Sequence, residues 1–413
     1  MGVETTELAG GLPLHRVQVD GSNVVTAMVA FYAGSRCEPP DENGIAHFLE
    51  HMIFKGGEAY PTHREVNART DELGARLNAF TSQEVIAFHI RVRSDRGLEA
   101  IDLLTDIVGR PRLEADELEH ERGVVIQEIA RVHDQPSSLA DDLASEAAFG
   151  DSPLGRPILG TQESLRAFDR DTVALFRERT WSAARGGAFL VGDTSGLGDE
   201  AMELLARVPA AAPAPEVDPA PTDNVHAIVR ERDSQQSHLV VGFHPAIDVT
   251  DPRMRAALRV YGMILGGSMG SRLVTEIREQ RGWAYSVHAT GDAYSDVAEV
   301  EVTAGLDSAN CVPAYERVRE IVAELAAEGP TRDEIARARS STAGRRALAF
   351  ENTTAAASHL ADEALIHGRE IDPATAIADL DAVTDDEVRA VAAALGEDHS
   401  LACVGPHTPD EFA

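Results

Sequence analysis

The segment His47–His51, which reads HFLEH, places two histidines and a glutamate within about one helical turn. On an α-helix, residues three and four positions apart share a face, so both imidazoles and the Glu50 carboxylate point the same way. Two imidazoles one turn apart can bind Zn²⁺ from one side, and the carboxylate beside them can take a proton from an attacking water. The H-x-x-E-H spacing, which reverses H-E-x-x-H, therefore indicates a candidate hydrolytic metal site.

A second segment, ERGVVIQEI at 121–129, strengthens this interpretation. Together the two segments resemble the inverzincin metallopeptidases of the pitrilysin and mitochondrial processing peptidase family, and most of all its processing-peptidase branch. In those enzymes the third zinc-binding glutamate follows H-x-x-E-H after about 76 residues, which is the separation of His51 and Glu128 here. The resemblance implies that Glu128 is the third ligand of one Zn²⁺ per chain. Glu121 also matches a family glutamate, and two helical turns place it on the face of Glu128, where it can orient a ligand or the water.

The resemblance also implies the chemistry of this site. Neutral His47 and His51 with ionised Glu128 leave a net positive charge on Zn²⁺ and an open position for water, whose pKa falls toward ~7. Glu50 is then the base that removes a proton from this water and later delivers it to the leaving amine. The predicted activity is that of a zinc endopeptidase.

Length and composition limit the alternatives. A chain of 413 residues forms about two or three domains. The net charge of −32 argues against nucleic acid as a partner, because the phosphate backbone would be repelled. No apolar run approaches the ~18 residues of a membrane span, and Met1–Glu7 has no signal or transit pattern. Three widely spaced cysteines suit reduced thiols, so the predicted location is the cytoplasm.

The residues around the HFLEH segment indicate how a peptide would bind. The run Leu77–Ser82, LNAFTS, resembles the N-A-x-T-S strand of the family, which lies at the sheet edge beside the zinc. An exposed edge can take an extended peptide as an added strand, so Asn78, Ala79 and Phe80 are candidate substrate contacts. Glu84 matches a family carboxylate beside this strand and is a further candidate. Without the resemblance, Asn78 would be interpreted as a turn residue.

A Pro/Ala-rich stretch divides the chain into nearly equal halves. The predicted organisation is a catalytic domain at 1–208, a connector at 209–224 and a second domain at 225–413. Strand and helix patterns alternate in both halves. The predicted fold class is α+β, with two homologous units that each pack a mostly antiparallel β-sheet against helices.

Two short alignments support a duplication. MILGG at 263–267 aligns with MIFKG at 52–56 at an offset of 211 residues, and DEI at 333–335 aligns with DEL at 116–118 at an offset of 217. Leu258, Tyr261 and Gly262 then stand opposite His47, Glu50 and His51, and Arg345 stands opposite Glu128. The second half is therefore predicted to be a copy without a metal site.

The second half carries a different motif, EIREQRGWAYSV at 276–287. It resembles the R-x-x-x-G-x-x-Y type of segment in the family, whose arginine and tyrosine contact substrate near the zinc. Tyr285 is the matching tyrosine, and the arginine is Arg278 or, as the alternative, Arg281. From the residues alone, Tyr285 is an ordinary strand aromatic and Arg278 a charge at a helix end.

Family members of this length associate in pairs around an enclosed chamber, in which the Arg/Tyr pair of one subunit faces the zinc of the other. Since this chain carries both halves of that equipment, the expected assembly is a homodimer that acts on peptides. Two alternatives remain open. The chain is a non-catalytic assembly subunit, like relatives in respiratory complexes, or it is an active subunit that needs a separate partner chain.

Overall fold

A computed structural model of the chain describes residues 2–221 and 226–412. The strands in these residues are β1 (Glu4–Glu7), β2 (Pro13–Gln18), β3 (Val24–Phe31), β4 (Arg76–Thr81), β5 (Ile86–Arg93), β6 (Gly186–Gly192), β7 (Ala227–Glu231), β8 (Gln236–Phe243), β9 (Ala284–Ala293), β10 (Ala298–Asp307) and β11 (Ser400–Gly405).

The α-helices of the described residues alternate with these strands. They are α1 (Ile45–Ile53), α2 (His63–Leu73), α3 (Gly97–Gly109), α4 (Ala115–Asp134), α5 (Pro136–Phe149), α6 (Gln162–Ala167), α7 (Arg170–Thr180), α8 (Asp199–Leu205), α9 (Pro252–Gly262), α10 (Cys311–Glu328), α11 (Arg332–Phe350), α12 (Thr353–Leu365), α13 (Pro373–Asp381) and α14 (Asp385–Ala394). None of these helices is long and apolar enough to cross a membrane.

The chain forms two compact units, each built from three segments. Unit 1 contains Met1–Ile129, Pro157–Asp218 and Leu348–Thr375. Unit 2 contains Ala130–Arg156, Pro219–Ala347 and Ala376–Ala413. One change of unit falls inside the predicted connector, after Asp218. The predicted start of the second domain, at 225, lies outside the described residues.

Unit 1 is organised around a six-stranded sheet in the order β1-β2-β6-β3-β5-β4. All neighbours are antiparallel except the pair β2 and β6. One face of the sheet packs with α1, α3 and α8 around the main apolar core, and α12 covers the other face over β3 and β6. The strand β4 lies at an edge of this sheet, as the family resemblance implies.

Unit 2 repeats this plan with a five-stranded sheet in the order β7-β11-β8-β10-β9. Only the pair β7 and β11 is parallel. The helices α9, α10 and α14 form the core on one face, and α5 covers β8 and β11 on the other. Both units are thus mostly antiparallel sheets packed against helices, which confirms the predicted fold class.

The two units exchange a helix. The helix α5 comes from the first half of the chain but packs on the sheet of unit 2, and α12 comes from the second half but packs on the sheet of unit 1. The repeat is regular, because α4 and α11 begin 217 residues apart and so do α5 and α12. The predicted offset of 217 therefore extends through both helix pairs, whereas the three-part division of the chain does not describe which residues pack together.

Candidate metal centre

The helix α1 carries the HFLEH segment and is fixed by its apolar side. Ile45, Phe48, Leu49 and Met52 are completely buried in the core of unit 1, so the polar positions are turned to the other side of the helix. The rings of His47 and His51 lie there with their centroids 4.5 Å apart.

The start of α1 is held by a residue that the sequence pattern does not indicate. The carboxylate of Glu38 accepts hydrogen bonds from the backbone N–H groups of Gly44 and Ala46, at 2.8 Å each. The side-chain amide of Asn43 donates to Glu38 and does not cap the helix. A carboxylate from the preceding segment thus accepts hydrogen bonds from N–H groups at the start of the helix that a local capping side chain would otherwise satisfy.

Three candidate ligand atoms converge between α1 and α4. One atom each from His47, His51 and Glu128 lies within 4.8 Å of the other two. The Oε2 atom of Glu128 is 3.6 Å from Nε2 of His51 and 3.9 Å from Nε2 of His47. In a tetrahedral zinc site with bonds near 2.1 Å, neighbouring ligand atoms are ~3.4 Å apart. The spacing therefore suits a small divalent cation bound to two imidazoles and a carboxylate.

The imidazole of His47 is suited to bind as a neutral ligand. Burial, followed by the neighbouring His51, lowers the pKa of His47 to about 3. A neutral imidazole offers a lone pair to a metal, whereas an imidazolium does not. Within the described residues, Nδ1 of His47 is buried and has no hydrogen-bond partner.

The neighbouring His51 is oriented by Glu121. Its Nδ1 atom lies 2.8 Å from Oε1 of Glu121, whose other oxygen forms an ion pair with Lys55. Burial raises the pKa of Glu121, but the hydrogen bonds from His51 and Lys55 outweigh it, so the pKa lies below its usual value. An ionised Glu121 accepts the Nδ1 proton and leaves Nε2 of His51 as the nitrogen that faces Glu128.

The carboxylate of Glu50 lies beside this cluster but is not one of its three members. The hydroxyl of Thr81, at the end of β4, donates a hydrogen bond of 2.6 Å to its Oε2 atom. Burial raises the pKa of Glu50, and the Thr81 hydrogen bond partly opposes this shift. Thr81 was not among the predicted site residues, although strict alternation along LNAFTS places it with Leu77 and Ala79 on the α1 side of the strand.

The other candidate contacts on the edge strand differ in exposure. Asn78 is exposed and Phe80 is half-buried, while the side chain of Ala79 packs into the core, so only its backbone is available at the edge. Glu84 is not available to a substrate. It is only 2% exposed, and its Oε1 atom accepts hydrogen bonds of 2.8 Å from Arg36 and Tyr32. The expectation that Glu84 contacts substrate is therefore wrong, because this carboxylate is neutralised inside unit 1.

In unit 2, Tyr285 is displayed by a β-bulge. Ser286 pairs with Gly305 and Ala284 pairs with Leu306, so Tyr285 is an extra residue in β9 without a partner on β10. Its ring lies directly over the Cα of Gly305, where any side chain would collide with it, and the residue remains 57% exposed. Bulges often turn a side chain away from the regular alternation of a strand.

The two candidate arginines of unit 2 have different surroundings. Arg281 donates to the backbone carbonyl and the carboxylate of Glu276 and packs over the ring of Trp283. Arg278 has weaker contacts, with Met269 at 3.9 Å and Glu279 at 3.7 Å. Because its guanidinium is less engaged, Arg278 is the better candidate for binding a ligand.

The positions in unit 2 that align with the HFLEH helix carry no ligand. Leu258 and Tyr261 on α9 are completely buried, and a Cβ on Gly262 would collide with the backbone of β9. The H-x-x-E-H spacing, present on the first helix of only one of two similar α+β units, is the signature of the inverzincin class of metallopeptidases.

Comparison with known proteins identifies the family. Residues 17–162 match the profile described as Insulinase (Peptidase family M16), and residues 167–342 match the profile described as Peptidase M16 inactive domain. A protein of Bacillus subtilis (strain 168) named uncharacterized zinc protease YmxG is 31% identical over 375 residues, which cover 90% of this chain and 91% of that protein. An uncharacterized zinc protease of Mycobacterium leprae (strain TN) is 32% identical over 416 residues, with 98% and 92% covered. The chain belongs to peptidase family M16.

Solved structures share the fold over the full length. A protein from Pseudomonas fluorescens, described as a peptidase M16 inactive domain, superimposes with a TM-score of 0.89 at 21% identity and covers 99% of both chains. A protease from Helicobacter pylori gives a TM-score of 0.88 at 18% identity, with 98% of this chain and 99% of that chain covered.

Proposed function

We propose that this protein is a zinc-dependent endopeptidase that cleaves short or unfolded peptides, with one Zn²⁺ held by His47, His51 and Glu128. The observation that carries the proposal is the convergence of these three side chains beside a carboxylate, that of Glu50, which is left out of the cluster. The proposal is supported by the two relatives that carry the name uncharacterized zinc protease.

Apart from the chemistry of the metal, residues of this chain carry out substrate binding and proton transfer. A bound zinc ion would polarise the peptide carbonyl and make water a nucleophile at neutral pH. The unpaired edge of β4 binds the main chain of an extended peptide, which favours unfolded substrates over folded ones. Glu50 accepts the proton of the attacking water and returns it to the leaving amine. Thr81 joins these two functions, because it lies on the edge strand and holds the Glu50 carboxylate.

Thr81→Val is expected to lower kcat by roughly 10- to 100-fold, which corresponds to the ~1.5–3 kcal/mol of a hydrogen bond to a charged group. The hydroxyl stabilises the ionised form of Glu50, so its loss raises the pKa of Glu50 further. The base then remains protonated up to a higher pH, so the acidic limb of the plot of kcat against pH shifts to higher pH. Thr81→Ser keeps the hydroxyl and should restore both values. A variant with unchanged kcat and an unshifted limb would show that Thr81 does not position the base.

Glu121→Gln is expected to weaken zinc binding by roughly 10- to 100-fold, as is usual when the partner of a metal-binding histidine is lost. The amide has nearly the same shape as the carboxylate. It carries no negative charge, however, so its hydrogen bond with Nδ1 of His51 is weaker. Competition with a chelator of known affinity measures the change, and excess zinc should restore most of the activity. Unchanged zinc affinity would contradict the proposed role of Glu121.

We further propose a homodimer in which Arg278 and Tyr285 of one subunit complete the site of the other. Tyr285 would donate a hydrogen bond to the developing oxyanion, and Arg278 would bind the substrate. The support is the bulge that leaves the Tyr285 ring exposed over Gly305. Scattering or sedimentation measures the oligomeric state of the purified protein alone and with candidate partner chains.

Mixing Glu50→Gln protein with Tyr285→Phe protein tests the shared site. Each preparation alone is expected to be strongly impaired. In a mixed dimer one of the two sites receives both intact residues, so random exchange should restore about a quarter of the wild-type activity. Failure to recover, once subunit exchange is demonstrated with labelled protein, would place both residues in one subunit's site or remove Tyr285 from the reaction.

The activity itself is tested by incubating the protein with a peptide library, with and without a chelator, and reading the products by mass spectrometry. Cleavage that the chelator abolishes and zinc restores supports the peptidase. Stoichiometric zinc without cleavage of any unfolded peptide would instead favour the alternative of a non-catalytic assembly subunit.

Three cysteines without a disulfide support a cytoplasmic location.

A further inference from the structure

We propose that Cys311, Cys403 and His407 form a second metal site, separate from the HFLEH helix, that binds a thiophilic closed-shell cation such as Zn²⁺ or Cd²⁺. One ligand atom from each of these residues lies within 4.8 Å of the other two. All three belong to unit 2, so this site does not depend on the proposed peptidase function.

The three residues are brought together by three elements. Cys311 is the first residue of α10, Cys403 lies in β11, and His407 follows the end of β11. Both cysteines are completely buried, and His407 is only 5% exposed. A cation here would connect the start of a long helix to a strand inside the sheet and to the last residues of the chain.

The distance between the two sulfurs suits ligands of one ion. The Sγ atoms of Cys311 and Cys403 are 3.9 Å apart. Two thiolates bound tetrahedrally to zinc, with bonds of about 2.3 Å, are separated by ~3.8 Å. A disulfide would require about 2.05 Å.

A chain of hydroxyl groups fixes the tautomer of His407. The carbonyl of Ser234 can only accept, so Ser308 donates its hydroxyl proton to it, at 3.3 Å. Ser308 must then accept from Ser237, at 3.0 Å. Ser237 in turn must accept from Nε2–H of His407, at 2.8 Å. A neutral His407 therefore carries its proton on Nε2 and a lone pair on Nδ1, the arrangement of a metal-binding imidazole whose other nitrogen is held by hydrogen bonding.

The Nδ1 atom of His407 has an environment that calls for a cation. It is buried and makes no hydrogen bond within the described residues. The Oε1 atom of Glu411 lies 3.6 Å away. A lone pair and a carboxylate oxygen repel each other unless a proton or a metal ion lies between them. The clustering of this imidazole with two thiols makes a metal ion the alternative to the proton. Glu411 is 45% exposed in its side chain, which gives the ion a path from solvent.

Binding would exchange protons for the metal. Two thiols and one M²⁺ give a dithiolate complex and two protons, with no change of oxidation state, so no oxidant or reductant is needed. Two buried thiolates would be unstable without the cation, which neutralises them.

Cobalt is the probe that distinguishes this site from the one on α1. Thiolate ligands give Co²⁺ an intense charge-transfer absorption in the near ultraviolet, and His47, His51 and Glu128 contain no sulfur. We expect this absorption in the wild-type protein and in the double variant His47→Ala/His51→Ala. In the double variant, the absorption should be complete after one equivalent of Co²⁺ has been added. Cd²⁺ should raise the Tm of both proteins by several degrees. Cys37→Ser removes the third thiol, which lies in unit 1. This variant should show the same absorption and the same rise in Tm as the wild-type protein.

Cys311→Ser and Cys403→Ser should lose the charge-transfer band and the Cd²⁺-dependent rise in Tm. Because a hydroxyl at these buried positions can impair folding, Cys311→Ala with circular dichroism serves as a second variant, and the wild-type spectrum decides independently. Absence of the band in folded wild-type protein would overturn the proposal. So would a band that persists without Cys311 and Cys403, or a mass two hydrogens lower that shows a disulfide instead. Full activity of the α1 site in a protein without the band would separate the two proposals.

Discussion

Glu50→Gln is expected to lower kcat by about 10³-fold, within the range of 10² to 10⁴ for general acid–base catalysis, while the zinc content stays at the wild-type value. The amide cannot accept the proton of the attacking water, yet it is nearly the same size and can still accept the Thr81 hydrogen bond. The cluster of His47, His51 and Glu128 does not include this carboxylate. Activity therefore falls without loss of metal.

Two measurements test this separation of roles. Peptide hydrolysis gives kcat, and elemental analysis of the same preparation gives the zinc content. Glu7→Gln, which removes a carboxylate from the exposed strand β1, is the matched control and should retain wild-type activity. Loss of zinc from Glu50→Gln would mean that Glu50 supports the metal, and unchanged kcat would exclude it as the base.

The HFLEH spacing alone predicted how the side chains lie on α1, whereas only the family resemblance indicated that Glu121 and Glu128 of α4 would lie beside them. The spacing of His47, Glu50 and His51 determines that they share a face, because 3.6 residues per turn leave no alternative once the helix forms. The partners that hold these side chains come from elsewhere in the chain. Glu38 lies in the turn before α1, and Thr81 reaches Glu50 from a strand 31 residues later. No local pattern specifies which of many polar residues meets a given helix.

The failure at Glu84 has the same physical cause. The family resemblance made it a candidate substrate contact beside the edge strand, but its side chain turns inward to Arg36, 48 residues earlier. A buried carboxylate requires a partner of opposite charge, and the sequence does not show which arginine supplies it. The exchange of α5 and α12 was equally hidden, because an apolar helix face predicts burial but not the sheet that buries it. Among the sequence patterns, only the repeat at 217 residues related α5 and α12 to each other.

Glu128→Ala is expected to cause a larger loss of zinc than any change to a neighbouring residue. It removes one of three ligands and the only negative charge among them, so a Zn²⁺ ion would face two neutral imidazoles alone. The affinity of the α1 site should fall by more than the roughly 10- to 100-fold expected for Glu121→Gln, and peptidase activity should disappear with it.

Added zinc distinguishes the two glutamates. Excess metal should restore activity to Glu121→Gln, whose ligand set is complete, but not to Glu128→Ala. The chelator competition should be done in a Cys311→Ala background, so that metal held by sulfur does not mask the loss. Activity that zinc restores fully in Glu128→Ala would mean that another group binds the ion in its place. In that case Glu128 would not be a ligand of the ion, although it lies close to His47 and His51.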